Sequence, residues 1–190
     1  MMIVNKSYYP NGKLRKKEFY RNGELEKNKE WYEDGKLEGV WFYRDRGRKL
    51  KKYKQWHENG NIARYSSSKK NGWNETKVWH TNGVLMIHRF CFNHLLEGVY
   101  KAWHESGNIG YLEFYRDGKI EGEHRSWNSS GILRTQSYYR NGICVVYNIK
   151  SERNSFLRLK NRLLTLLFQK NSFLMETFLI SDLAGSINYS

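Results

Sequence analysis

Proline occurs once in these 190 residues and cysteine twice, and acids are few, with 19 Asp and Glu against 33 Lys and Arg. Cys91 and Cys144 have no second pair beside them. That excludes a cysteine-based zinc site and argues against a small secreted domain held by disulfides, so a reducing, intracellular compartment is expected. No stretch offers the roughly 20 uninterrupted apolar residues of a membrane span, and the N-terminus, Met1-Met2-Ile3-Val4-Asn5-Lys6, lacks the apolar region of a signal peptide. Aliphatic side chains are sparse as well: mean hydropathy is −0.83, whereas aromatics make up 16% of the chain. The apolar surface must therefore come mostly from rings.

What the chain has in quantity is a spaced glycine. Trp103, Gly107 and Ile109 show the unit: a ring, a glycine four residues later, and Leu or Ile two after that. It recurs at Tyr8/Gly12/Leu14, Phe19/Gly23/Leu25, Trp31/Gly35/Leu37, Trp56/Gly60/Ile62, Trp79/Gly83/Leu85, Phe114/Gly118/Ile120 and Trp127/Gly131/Leu133, with an approximate copy at Tyr138/Gly142/Cys144. With Gly47, Gly72 and the pair Asn93-His94 filling the remaining gaps, the pattern predicts twelve turns. Spacings of 11 to 13 residues leave room for strands of seven or eight, too short for helices plus loops. Alternate turns define a β-hairpin repeat of about two dozen residues, whose core is a row of interfaces rather than a central ball.

Turn chemistry predicts the register. Two-residue type I′ turns need positive φ at both central positions, which Ser106-Gly107 and Ser130-Gly131 disfavour. A three-residue loop with glycine in the left-handed region accepts Asn, Asp or Ser before the glycine and suits Pro10-Asn11-Gly12. In that loop Trp103 faces Ile109 and Trp31 faces Leu37, and the same pairing is expected at every turn. A second glycine follows in Leu37-Glu38-Gly39, Leu96-Glu97-Gly98 and Ile120-Glu121-Gly122, where a ring from an adjacent strand is expected to lie. The pattern thins at Ser66 to Trp73, which reads as an irregular loop.

After Tyr147 the composition changes. Phe156, Leu159, Leu163, Leu166 and Leu167 fall at helical spacing among Arg153, Arg158, Lys160, Arg162 and Lys170. Residues 148–190 are thus expected to form a basic amphipathic helical tail that caps the array, docks on a partner or lies on an anionic membrane.

The hairpin-length repeats with Tyr-Tyr or Trp-His, Asn-Gly-Lys-Leu and Leu-Glu-Gly resemble the MORN-repeat variant of bacterial YwqK-type antitoxin-like proteins and of large DNA viruses, over residues 7–147. The resemblance implies a mainly β fold over residues 1–147: an elongated, twisted antiparallel sheet of stacked hairpins, used as a scaffold, with no catalytic residues to carry over. It places the protein in a cytoplasm or a virion.

Candidate chemistry follows the repeat. His57, His80 and His104 all stand three residues before a turn glycine, where tyrosine stands in other units, so their spacing is architectural rather than catalytic or metal-binding. The densest charge is Arg44, Arg46, Arg48, Lys49, Lys51, Lys52 and Lys54, broken only by Asp45 and flanked by Tyr43, Tyr53 and Trp56. Basic groups among rings suit an acidic partner such as single-stranded nucleic acid, although a solvated strand edge is the plainer reading and the one favoured. With a net charge of +14, the expectation is a non-enzymatic scaffold for a protein partner, with no cofactor and no small-molecule substrate. The alternatives are electrostatic binding of nucleic acid or an anionic membrane, and neutralisation of a cognate toxin.

Overall fold

The computed structural model describes residues 1–45, 47 and 49–149, and the regular elements among them are β-strands. In chain order they are β1 Met2–Tyr8, β2 Leu14–Arg21, β3 Glu24–Trp31, β4 Leu37–Arg44, β5 Lys49–Trp56, β6 Ile62–Ser68, β7 Trp73–Trp79 and β8 Leu85–Phe92. They continue as β9 Leu95–Leu96, β10 Gly98–Trp103, β11 Ile109–Arg116, β12 Lys119–Ile120, β13 Gly122–Trp127, β14 Leu133–Arg140 and β15 Ile143–Ile149. All join one open antiparallel sheet in which sequence neighbours pair; β9 with β10, and β12 with β13, each fill a single place, giving thirteen places and twelve turns. No helix among the described residues is long and apolar enough to cross a membrane. The expected helical tail, with Phe156, Leu159, Leu163, Leu166 and Leu167, lies outside the described residues.

The turns are of two main kinds. At Gly12, Gly35, Gly60, Gly83, Gly107 and Gly131 the loop has three residues and the facing pair is the predicted one: Trp31 opposite Leu37, Trp103 opposite Ile109, Trp127 opposite Leu133. The bonds that close it are Gly107 N–H to the His104 carbonyl and His104 N–H to the Asn108 carbonyl, both 2.9 Å. The residue before the glycine accepts the amide two residues on, as Asp34 Oδ1 does from Lys36 N–H at 2.9 Å, except at Gly131, where Asn128 Oδ1 accepts from Ile132 N–H at 2.8 Å.

Four of the other turns correct the expectation of one loop type throughout. Asn22-Gly23, Asn93-His94, Asp117-Gly118 and Asn141-Gly142 have positive φ at both residues, the two-residue turn that Asn-Gly and Asp-Gly tolerate. The facing pair moves by one: Tyr20, not Phe19, stands opposite Leu25, and Tyr115, not Phe114, opposite Ile120. The stretch from Ser66 to Trp73 is a regular three-residue hairpin rather than an irregular loop, its strands paired from Ser68 and Asn74 inward. Backbone pairing suffices there without the ring and aliphatic, and the Arg44 guanidinium fastens the turn from the side, donating to the Ser68 carbonyl at 2.8 Å and the Lys69 carbonyl at 3.2 Å.

The second glycines split likewise. A Cβ on Gly39 would run into the Trp41 ring, which comes from its own strand rather than the adjacent one. Gly98 and Gly122 have open space around them and a φ of +79°, so they are left-handed bulges that interrupt β9/β10 and β12/β13.

Successive hairpins are joined edge to edge. The Tyr9 hydroxyl donates to the Trp31 carbonyl at 2.7 Å and Tyr32 to Trp56 at 2.6 Å. His57, His80 and His104 then do the same with Nε2 to the carbonyls of Trp79, Trp103 and Trp127, at 3.1, 2.9 and 2.9 Å. A carbonyl only accepts, so each of these Nε2 atoms carries the proton. The histidine column is thus the tyrosine column continued.

Candidate binding face

Register places side chains in rows that run across the strands. One row passes through twelve of the thirteen places, β1 to β14: Lys6, Lys17, Lys29, Val40, Lys54, Tyr65, Lys77, His88, Lys101, Leu112, Arg125 and Gln136, each directly opposite the next. Six of these, Lys6, Lys29, Lys54, Lys77, Lys101 and Arg125, stand six residues before the glycine of a three-residue turn, so every repeat contributes a cation to the same line. At about 4.8 Å between strands, cations two strands apart are spaced by about 10 Å. Two residues further along each strand, on the same face, comes the ring of the facing pair: Tyr8, Trp31, Trp56, Trp79, Trp103 and Trp127.

A parallel row lies on the other side of the cations. Across β1 to β5 it reads Val4, Phe19, Lys27, Phe42 and Lys52. The Phe19 ring has Lys17 Nζ at 5.0 Å and Lys27 Nζ at 5.5 Å, and the Phe42 ring has Lys27 at 5.2 Å and Lys52 at 4.8 Å. Each phenylalanine is thus flanked by two ammonium groups, which hold the lysines apart and upright. Burial, and then the charge of Lys29, push the Lys27 ammonium below its ordinary pKa.

The two rows divide the face by charge. Over β1 to β5 they hold six lysines and no acid, and none of those lysines makes an ion pair among the described residues. Over β7 to β13 acids enter the Phe row: Glu75 lies 2.9 Å from Lys77 and 2.9 Å from His88, and Glu123 lies 2.7 Å from Arg125. Lys77 first, and His88 after it, hold the Glu75 carboxyl below the usual carboxylate range. Glu18 of β2 and Glu30 of β3 point the other way, where they share Lys16 at 2.7 and 3.8 Å.

Of the basic cluster named from sequence, Lys52 and Lys54 belong to these two rows. Lys49 stands opposite Arg44 at the strand end, and Lys51 falls at the bulge where the register shifts. Arg44 is committed to the neighbouring turn. Arg46 and Arg48 lie outside the described residues. The chain segment therefore does not form the site by itself; Lys6, Lys17, Lys27 and Lys29 come from other strands. Lys6 and Lys29 had a signal in the sequence, as the basic residue six before the glycine of a three-residue turn; Lys17 and Lys27 are placed by the register alone.

Toward the far end of the same face, beyond Glu123, two exposed apolar side chains meet. Tyr138 stands opposite Val146, exposed by 46% and 41%, with Phe114 exposed by 39%. Among the described residues no group of three or more His, Cys, Asp or Glu is placed to hold a metal ion.

Two segments match the MORN repeat variant. They are residues 4–22 and 27–45, and each is one three-residue hairpin, β1–β2 and β3–β4, complete with its row cation, Lys6 or Lys29. From β5 onward the MORN-like hairpin recurs structurally beyond the matched residues. No curated protein matches the chain. Among solved structures it is similar to "Crystal Structure of TcdB2-TccC3-TEV", with 12% identity and a TM-score of 0.24; the match covers 80% of this chain and 10% of that one.

Proposed function

We propose that the chain is a non-enzymatic repeat scaffold that binds a protein partner through a face of its sheet. The observation that carries this reading is a single layer of strands in which Val40, 8% exposed, is the one buried apolar side chain among the described residues. A sheet ordinarily hides one face against a second layer. Here repeat-to-repeat bonds and pairing hold the layer, and Phe114, Tyr138 and Val146 remain open at its C-terminal end. Tyr138 and Val146, directly opposite each other, form an exposed apolar pair, and exposed apolar patches mark interaction sites.

Affinity purification of the full chain from its native setting, alongside the double variant Tyr138→Asp/Val146→Asp, tests this. The expected result is a stoichiometric protein partner lost from the double variant and kept by Lys69→Gln/Lys70→Gln, which changes only exposed turn lysines. A partner retained by the double variant, or none recovered by the wild type, rejects the reading.

A further inference from the structure

We propose that the cation row of β1 to β5, together with the tryptophan row beside it, is a track for single-stranded nucleic acid, with phosphates on Lys6, Lys17, Lys29 and Lys54 and bases against Trp31 and Trp56. The argument starts from shape. The cations form a line one residue wide, and from Lys6 to Lys54 it crosses four strand spacings, about 19 Å. A linear polyanion can follow such a line. Lys27 and Lys52 widen the charge on one side, and no acid in either row interrupts it.

The rings decide which linear polyanion. Phe19 and Phe42 already carry ammonium groups over their faces. Among the described residues no cation lies over Trp31 or Trp56, which are half-buried, each two residues from its lysine on the same strand and face, about 7 Å along it. Phosphate neutralisation with a stacking ring at a fixed offset is the combination that binds single strands without sequence preference. An acidic peptide has no bases to use the second row. A flat anionic membrane would extend over β7 to β13 and meet Glu75 and Glu123.

The track stops where the acids begin. Lys77 and Arg125 occupy the same line but are paired with Glu75 and Glu123. Binding is therefore confined to the first five strands, well away from Tyr138 and Val146, so a protein partner at the apolar end and an oligonucleotide on the track do not compete.

The test uses the full chain and a fluorescently labelled 12-nucleotide oligothymidylate, followed by anisotropy between 50 and 200 mM salt. With four phosphates neutralised, log affinity should fall against log salt with a slope of about −3, at about 0.7 per contact for a single strand. Lys29→Gln/Lys54→Gln should weaken binding about tenfold at the lower salt and reduce the slope by about 1.4. Lys6→Gln/Lys17→Gln should do the same, and Lys69→Gln/Lys70→Gln should do neither. Tryptophan emission should be quenched on binding, and circular dichroism melts establish that every variant is folded. The proposal is overturned by no binding at 50 mM salt, by row variants that bind like the wild type, or by binding without quenching. It is equally overturned by tighter binding to the matching duplex, to polyglutamate, or to vesicles of three parts neutral to one part anionic phospholipid.

Discussion

The His104 imidazole reaches the carbonyl of Trp127, 23 residues ahead, at 2.9 Å, and in doing so ties one repeat to the next at the same point where Tyr9 ties to Trp31. Two chemically different side chains serve one purpose because both present a donor on a flat ring at the same position of the repeat.

Replacing His104 with Tyr is therefore expected to leave stability within about 0.5 kcal/mol, whereas His104→Phe removes the donor and should cost about 1 kcal/mol. Urea denaturation of the two variants and the wild type measures both. Equal losses in Tyr and Phe variants would show that the contact with the Trp127 carbonyl contributes nothing.

How much of this was legible beforehand can be judged from Trp103 and Leu25. The pairing of Trp103 with Ile109 followed from turn chemistry, because Ser-Gly admits few loops. Leu25 was misplaced because Asn22-Gly23 admits two loop types, and the choice between them moves the opposite residue from Phe19 to Tyr20. Bulges hide the binding face for a related reason. Glu26 is an extra residue between Leu25 and Lys27, so Leu25 shares a face with Tyr20 while Lys27 shares the other with Phe19. Strand alternation alone puts Leu25 and Lys27 together. Lys6, Lys29 and Lys54 could be aligned by counting back from their glycines, but which strands stand between them, and that Lys17 joins the line, required the register.

The two-residue turns make their own prediction. Asn141 sits at φ 52°, a region closed to β-branched residues. Asn141→Val should lower stability by about 1 to 2 kcal/mol, while Asn141→Gly should be tolerated. Thermal melts of the pair check this, and a Val variant as stable as the Gly variant would contradict the positive φ.

Gly39 offers a steric test. Any side chain there meets the Trp41 ring, so Gly39→Ala should cost about 1 to 3 kcal/mol through overpacking. In a Trp41→Leu background the same substitution should cost much less, because the obstructing ring is gone. A double-mutant cycle by chemical denaturation reads the coupling; additivity of the two changes would place the ring elsewhere.

Glu75 sets an acid limit on the central strands. Lys77 and then His88 stabilise its carboxylate, so its folded pKa lies below the unfolded value of 4.5. The unfolded chain then takes up the proton first as pH falls. The contribution is thus fully present well above pH 4.5 and is lost as pH drops through the lower folded value. Glu75→Gln should melt below the wild type at pH 6 and approach it at pH 3, with the difference read as two melting curves at each pH. A gap that stays constant, or widens toward acid, would mean that Lys77 and His88 do not hold the charged form. Because Glu75 also neutralises Lys77 in the cation row, the same variant should extend the unpaired cations from Lys54 to Lys77, and oligonucleotide affinity at pH 7 should rise rather than fall.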